Sequence, residues 1–251
     1  MSEMIVSSLS DHILEITFNR ADRKNAITGD MYLELANALM DAKARDDVNV
    51  VLLTGTDGVF SAGNDIQDFV AAPPVTRDAP VWRYFHALMD LDKPLVAAVD
   101  GVAIGIGTTT LLHCDLVYAT DRSTFALPFA SLGLTPEGAS TILLPLLMGR
   151  QRTAELLLLG ERISAERACA LGIVNEVVTV EGLREVSTAR ARTLAALPHE
   201  VIRKTKRLMQ DGVDQLVARQ FVAEQDAMRD AVTGVPAQQA FARFLNKRKA
   251  G

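Results

Sequence analysis

One local pattern occurs twice in this 251-residue chain and constrains its fold more than any other feature. A short apolar strand runs into a loop that contains glycine, and a predicted helix begins directly after the loop, at 50–66 and again at 95–111. Such alternation is typical of an α/β core. Because the first turn of a helix has unpaired N–H groups, two such starts can converge on one anionic oxygen.

After residue 137 the pattern changes, because helical periodicity replaces the alternation of strands and helices. Apolar spacing predicts helices at 138–148, 150–159, 164–171, 181–196, 199–211, 214–231 and 236–247, with one brief strand near 173–178. The sequence therefore predicts an α/β core followed by a helical C-terminal part.

Composition and charge exclude several classes of function. Hydrophobic residues make up 49% of the chain, and the net charge of −5 argues against nucleic acid as a main partner, although Lys247-Arg248-Lys249 is a local exception. The two cysteines, Cys114 and Cys169, are predicted to be reduced thiols in apolar surroundings. No signal peptide, no peroxisomal signal and no apolar run of about 18 residues is present, so a cytoplasmic protein without membrane segments is expected.

The stretch GVAIGIGTTT allows three interpretations. A dinucleotide-binding loop needs a third glycine where Thr110 stands, and the unit lies in the middle of the chain. An anion or oxyanion site needs only free N–H groups at the helix start. Plain turn glycines need no ligand. The residues of this stretch leave the last two interpretations open.

Nucleophilic hydrolysis and metal catalysis find little support in the sequence. There is no G-x-S-x-G elbow. The histidines lie at 12, 86, 113 and 199, without metal-ligand spacing or an acidic cluster nearby. No metal site is expected.

The acid of the stretch SLGLTPEGAS also has two interpretations. Thr135 can act as the N-cap of a helix, with Pro136 as its first residue and Glu137 in the turn that the dipole favours. Gly138 does not fit this helix start, since glycine is a poor helix former. It would instead permit close approach of another group. Taken alone, these residues favour the capping interpretation.

Several stretches in this order and spacing resemble the crotonase, or enoyl-CoA hydratase/isomerase, superfamily over nearly the whole chain. They are NRADRKNAIT, FSAGND, PLVAAVDGVAIGIG, CDLVYATDRSTFALPFASLGLTPEG and the C-terminal FLNKRK. The resemblance implies a spiral of ββα turns at 1–195 that contains an acyl-CoA site. It also implies a helical trimerisation region at 196–251, and a homotrimer or a dimer of trimers.

The resemblance implies an oxyanion hole for the carbonyl of an acyl-CoA thioester. Its two backbone N–H donors map onto Ala62 and Ile106, while Gly63 and Gly105 leave the neighbouring backbone free to approach the thioester. Preorganised donors of this kind stabilise the negative charge that develops on the oxygen.

Within the superfamily, the chain resembles the peroxisomal-type Δ3,Δ2-enoyl-CoA isomerases. The two positions that carry glutamates in the hydratases hold Thr109 and Phe129 here, and neither side chain can activate water as a carboxylate does. The isomerase pattern of Pro-Phe, Leu-Gly and Pro-Glu-Gly is matched at 128–138, and it implies that Glu137 is the single catalytic base. The implied reaction moves a double bond from C3 to C2, a step that fatty-acid β-oxidation uses.

The resemblance also implies residues that contact the substrate. Phe129, Leu132 and Leu134 are candidates for an apolar wall around the base, with ordinary core packing as the alternative. The residues expected at the substrate and the CoA moiety are Arg23, Lys24, Ala62, Asp65, Ile66, Gly105, Phe129, Leu132, Phe244 and Lys247. No cofactor is expected, because coenzyme A is part of the substrate.

Two further hypotheses remain open at this point. A hydratase or another CoA-thioester lyase could recruit Asp65 or Asp68 as its acid. Alternatively, the chain could be an acyl-CoA-binding protein that has kept the fold and lost the chemistry, which Thr109 and Phe129 would also fit.

Overall fold

The structure, a computed structural model, describes residues 4–249, with the exception of the side chains of 247–249. The strands are β1 Ile5–Ser10, β2 Ile13–Phe18, β3 Val50–Gly55, β4 Leu95–Val99, β5 Val102–Ile104, β6 Leu116–Thr120, β7 Thr124–Ala126, β8 Ile163–Ser164 and β9 Glu176–Val178. The α-helices are α1 Gly29–Ala44, α2 Ile66–Ala71, α3 Pro80–Asp90, α4 Ile106–Thr109, α5 Ser140–Met148, α6 Arg150–Ala154, α7 Ala165–Ala170, α8 Leu183–Ala196, α9 His199–Asp211, α10 Asp214–Val232 and α11 Val235–Lys249. Short 3₁₀ turns lie at Ala21–Arg23, Thr110–His113 and Ala130–Leu132, and a π turn lies at Glu155–Leu159.

The strands form two sheets. The larger sheet has the order β1-β2-β3-β4-β6-β9, and its strands pair in parallel except for the antiparallel hairpin of β1 and β2. The smaller sheet has the order β5-β7-β8. Parallel neighbours place the carboxyl ends of β3 and β4 at one edge, where the two glycine loops follow.

The central strands are apolar along their length because both faces of the larger sheet are covered. On one face, Val50, Leu52 and Val96 pack against Leu183 and Ala191 of α8. On the other face, the main hydrophobic core gathers side chains from α1, α3 and the C-terminal helices.

The C-terminal helices return to this core. Phe221 of α10 and Phe241 of α11 are buried, and Phe221 makes an edge-to-face contact with Trp82 of α3. The division of the chain at residue 195 stays a prediction. These two helices nevertheless pack on the elements that surround the candidate site described below.

The sequence predicted most of these elements. Thr28 caps α1 as expected, since its side chain accepts a hydrogen bond from the Met31 N–H. The α/β core followed by helices is confirmed. One difference concerns the stretch 95–111, where only a strand, a glycine loop and a helix start were predicted. There β5 forms first, and then the short α4 gives way to a 3₁₀ turn.

Among the helices of residues 4–249, none is long and apolar enough to cross a membrane.

Candidate active site

Two glycine loops lie side by side in parallel. Ser61 and Ala103 form a parallel bridge, in which the Ser61 N–H donates to the Val102 carbonyl and the Ile104 N–H donates to the Ser61 carbonyl. A Cβ added at Gly63 would lie 2.7 Å from the Ile104 carbonyl oxygen, so only glycine permits this approach. A Cβ added at Gly107, in the first turn of α4, would lie 2.9 Å from the Ser61 carbonyl oxygen, so the start of this helix also packs against the first loop.

The prediction that Ala62 supplies a free N–H is wrong. The Ala62 N–H donates a hydrogen bond of 2.9 Å to the Lys24 carbonyl, which ties the two loops together. The Asn64 N–H, two residues later, has no acceptor among residues 4–249. The Ile106 N–H, at the first position of α4, likewise has none in the described part of the chain. Asn64 and Ile106 therefore each offer an unpaired backbone N–H, as does Gly107 at the second position of α4.

Gly105 precedes α4 and has the backbone conformation that the site needs. Its φ is +55°, and a Cβ built there meets no atom within 4 Å. Because an L-residue at this φ is strained, glycine is the residue that fits.

A pocket of about 290 Å³ opens beside the first loop and is called here the Arg23 pocket. It is lined by Asp22, Arg23, Lys24, Ala26, Ala62, Asn64, Asp65, Ile66 and Phe244. Six of the residues predicted for the CoA moiety thus lie together, namely Arg23, Lys24, Ala62, Asp65, Ile66 and Phe244. The side chain of Lys247, predicted for the same contact, lies outside the described residues.

Asp65 organises the loop that forms this pocket. Its Oδ2 accepts a hydrogen bond of 2.9 Å from Arg20 and lies 3.4 Å from Arg23, while its Oδ1 caps the N-terminus of α2. Burial tends to raise the pKa of Asp65, but the hydrogen bonds from Arg20 and the α2 backbone outweigh it and lower the pKa. Asp65 is therefore a charged structural residue.

A second, smaller cavity of about 50 Å³ lies between α1, α2 and α3 and is called here the Tyr32 pocket. Asn64 lines both pockets, and its side-chain oxygen accepts a hydrogen bond of 2.6 Å from the Tyr32 hydroxyl. The remaining lining residues are mostly apolar and include Ile27, Phe69 and Val81. Asn64 thus connects a polar pocket with an apolar one.

Glu137 does not cap a helix, and that interpretation of the sequence is wrong. The stretch 134–137 has no regular secondary structure, α5 begins only at Ser140, and the Thr135 hydroxyl has no hydrogen-bond partner among the described residues. Gly138 and Ala139 both adopt positive φ, at +70° and +58°. The sharp turn that follows Glu137 explains why glycine stands at 138, where a Cβ would overlap the Phe85 ring.

The Glu137 carboxyl is buried, with 1% of the residue exposed, and its Oε1 has no partner among residues 4–249. Burial, together with the negative charge of Glu224, raises the pKa of Glu137 to about 8. Glu137 in turn helps to raise the pKa of Tyr32, an effect that is secondary to burial. The carboxyl therefore lies within electrostatic reach of the Tyr32–Asn64 pair at the Tyr32 pocket.

The residues predicted to form an apolar wall belong to the hydrophobic core. Phe129 and Leu134 are buried in the main core, and Leu132 packs against it, but none of these side chains lines the Arg23 or Tyr32 pocket. Gly105 also lies outside the lining of both pockets. These four residues therefore line neither pocket.

Sequence reasoning missed Asn64, Tyr32 and Glu224. Asn64 is identified by contacts between distant segments, because Ile27 bonds to Gly63 and Asp65 on either side of it and leaves the Asn64 N–H free. Tyr32 lies on the buried face of α1, where the apolar spacing suggested only core packing. For Glu224, on the helical C-terminal part, no signal in the sequence exists.

Metal binding finds no support in the described residues, because no group of three or more His, Cys, Asp or Glu side chains there could hold an ion.

The chain is similar to several known proteins. The family described as enoyl-CoA hydratase/isomerase matches residues 8–251. Human enoyl-CoA delta isomerase 2 is 37% identical over 214 residues, which are 82% of this chain and 54% of that protein, so the chain spans about half the length of this relative. The 1,2-epoxyphenylacetyl-CoA isomerase of Escherichia coli is 34% identical, covering 99% of this chain and 97% of the enzyme.

Among solved structures, OdaA of Pseudomonas aeruginosa superposes with a TM-score of 0.94 at 40% identity, covering 97% of this chain and 99% of that one. The fold predicted from the sequence motifs is thereby confirmed. The chain belongs to the enoyl-CoA hydratase/isomerase family, also called the crotonase family.

Proposed function

We propose that this protein is an acyl-CoA isomerase that moves a double bond from C3 to C2 of an enoyl-CoA. The observation that supports this function best is the buried carboxyl of Glu137, whose Oε1 has no partner among residues 4–249 and whose pKa is raised to about 8. The unpaired backbone N–H groups of Asn64 and Ile106 are the candidate donors to an oxyanion. A base and an oxyanion hole are all that this reaction requires.

The reaction proceeds through an enolate. The Glu137 carboxylate removes a proton from C2 of the 3-enoyl-CoA, and the electron pair moves into the thioester carbonyl. The N–H groups of Asn64 and Ile106 donate hydrogen bonds to the enolate oxygen. The carboxylic acid of Glu137 then returns the same proton to C4, where the electron pair of the C3–C4 double bond forms the new C–H bond. The C1–C2 pair of the enolate shifts to C2–C3, the thioester carbonyl re-forms, and Glu137 is again a carboxylate.

The raised pKa suits both halves of this cycle. A base with a pKa near 8 is stronger than an ordinary glutamate, and its acid form persists long enough to protonate C4. Because only the carboxylate abstracts the proton, kcat/KM rises with pH through the pKa of Glu137 in the free enzyme.

Hydration is disfavoured by the state of the other acids. Asp65 is held by Arg20 and Arg23, and the Asp68 Oδ2 accepts a hydrogen bond of 2.8 Å from the Gly29 N–H. Thr109 and Phe129 are both buried and carry no carboxyl group. None of these four side chains offers a second acid–base group to water.

The acyl-CoA substrate is expected to place its CoA moiety in the Arg23 pocket, where Arg23 and Lys24 provide positive charge. No cofactor is part of the proposal, since the chemistry uses protons only. A homotrimer or dimer of trimers also remains a proposal, supported by exposed leucines such as Leu146, Leu158 and Leu159. Light scattering of the purified protein tests it.

The function is tested by incubating the protein with a 3-enoyl-CoA and following the conjugated 2-enoyl-CoA by absorbance, with crotonyl-CoA hydration measured in parallel. The proposal expects isomerisation to exceed hydration. Hydration that dominates and is lost in Asp65→Asn or Asp68→Asn would instead identify a hydratase. Calorimetric binding of an acyl-CoA without turnover of either substrate would identify a non-catalytic binding protein.

A further inference from the structure

The turn that carries Glu137 is held by a second buried acid from the C-terminal helices. We infer that Glu224 of α10 is a positioning residue for the isomerisation, which fixes the backbone of this turn and keeps a negative charge behind the catalytic carboxyl. The inference rests on the proposed function, because it assigns a role within that same site.

Glu224 makes three hydrogen bonds to the segment after Glu137. Its Oε2 accepts from the Ala139 N–H at 2.6 Å, and its Oε1 accepts from the Thr141 N–H at 2.8 Å and from the Thr141 hydroxyl at 2.5 Å. The Gln220 side chain, one turn earlier on α10, donates to the same hydroxyl at 2.7 Å. Only 4% of Glu224 is exposed, so these partners replace water.

The turn needs such support because its backbone is strained. Ala139 has a φ of +58°, a left-handed conformation that is unfavourable for an L-residue. It also precedes α5 and offers no side-chain cap to the unpaired N–H groups there. Glu224 supplies the acceptors that the local sequence lacks, and its charge interacts favourably with the positive end of α5.

The opposite side of the turn is held by uncharged groups. The His113 Nε2 lies 2.8 Å from the Gly138 carbonyl, to which its neutral ring donates, and the Phe85 ring packs against Gly138. Burial lowers the pKa of His113 to about 4, so the ring carries no charge at neutral pH. The backbone at 138–139 is thus fixed from two sides, by His113 and Glu224.

Glu224 is the negative charge that acts on Glu137. The titratable groups that face Glu137 or its turn are Glu224 from α10, Tyr32 from α1 and His113 from the 3₁₀ turn. Burial is the main cause of the raised pKa of Glu137, and the negative charge of Glu224 raises it further. Burial raises the pKa of Glu224 as well, but its hydrogen bonds from Thr141 and Ala139 oppose that rise and favour the carboxylate.

The test is Glu224→Gln, which keeps the shape and removes the charge. We expect kcat to fall by about 10-fold to 100-fold because the turn is less well fixed. We also expect the acid limb of the kcat/KM profile to move to lower pH by about one pH unit, since Glu137 loses its like-charge neighbour. Asp230→Asn, which removes an exposed charge from the same helix, is the matched control and should leave both quantities unchanged.

The titration of Glu137 is also measured directly, without substrate, by the infrared band of its protonated carboxyl, assigned with Glu137→Gln. This readout separates the inference from the proposed function, because it does not depend on which reaction is catalysed. If Glu224→Gln does not fold, Thr141→Val removes one donor to Glu224 and should displace the titration in the same direction by less. A titration of Glu137 that does not move in a folded variant would overturn the inference.

Discussion

Two acids of this protein, Asp65 and Glu137, are buried to a similar degree and yet differ in every other respect. Asp65 is 4% exposed and Glu137 is 1% exposed. Asp65 follows the first glycine loop, where two arginines and the N-terminus of α2 surround it. Glu137 precedes a strained turn, and its Oε1 has no partner in the part of the chain that the structure describes.

The pKa of each acid follows from these surroundings. Hydrogen bonds from Arg20 and from backbone N–H groups outweigh burial at Asp65 and lower its pKa, whereas burial and the charge of Glu224 raise the pKa of Glu137. A buried acid with cationic partners stabilises a loop. A buried acid without them is costly to ionise, and this cost is what makes it a useful proton carrier.

The largest expected effect concerns the role of Glu137 as the base. Glu137→Gln keeps the size of the side chain but cannot accept a proton, so kcat for a 3-enoyl-CoA should fall by about 10²–10⁴-fold. KM should change little, because the Arg23 pocket is untouched. Steady-state kinetics of the variant measure both. Full activity in the variant would show that Glu137 is not the base.

The second effect is on stability and has an unusual sign. Because the folded protein holds the Glu137 proton up to about pH 8 while the unfolded chain releases it near its ordinary pKa, the stability that Glu137 contributes is present at low pH and is lost as pH rises through 8. The Glu137→Gln variant has no carboxyl to ionise at this position and therefore does not lose this stability at high pH. The variant should therefore become more stable than the wild type by about 2–5 kcal/mol at pH 9 and gain little at pH 4.

Urea denaturation at the two pH values measures this difference. Equal stability of the two proteins at pH 9 would mean that Glu137 is not buried in the way the structure indicates.

Asp65 should show the opposite dependence, with a smaller effect. Its lowered pKa contributes stability that is present at neutral pH and is lost as pH falls through the folded-state pKa. Asp65→Asn should cost about 1–3 kcal/mol at pH 7, a value reduced because both arginines are partly exposed. The penalty should shrink at pH 3.

For Asp65→Asn we further expect KM for the CoA ester to rise while kcat changes less. Denaturation curves and initial rates test this pair of effects, and a fall in kcat as large as that of Glu137→Gln would remove the distinction between the two acids.

The sequence predicted the fold well and the surroundings of Glu137 less well. The alternation of apolar strands and glycine loops predicted the α/β core, and the family motifs identified Glu137, Ile106 and most of the residues that line the Arg23 pocket. The residues alone favoured a helix cap at Glu137. That interpretation failed because the start of α5 is held by Glu224, which is far away in the chain.

The donor paired with Ile106 shows a different limit. The motif FSAGND alone does not show which backbone N–H is unpaired, because the Ala62 N–H donates to the Lys24 carbonyl of another loop. The choice of Asn64 depends on register between segments that are distant in sequence. Long-range pairing of this kind is set by the packed fold rather than by local propensity.

Transfer of a label within the substrate tests the central claim most directly, since one buried carboxyl is proposed to carry a single proton from C2 to C4. A 3-enoyl-CoA deuterated at C2 is converted in one turnover in ordinary water, and the product is analysed by mass spectrometry and NMR. We predict that deuterium appears at C4 in the wild type and that Glu137→Gln forms no labelled product in the same time. Product whose C4 hydrogen comes entirely from solvent, formed equally well by both proteins, would contradict the mechanism.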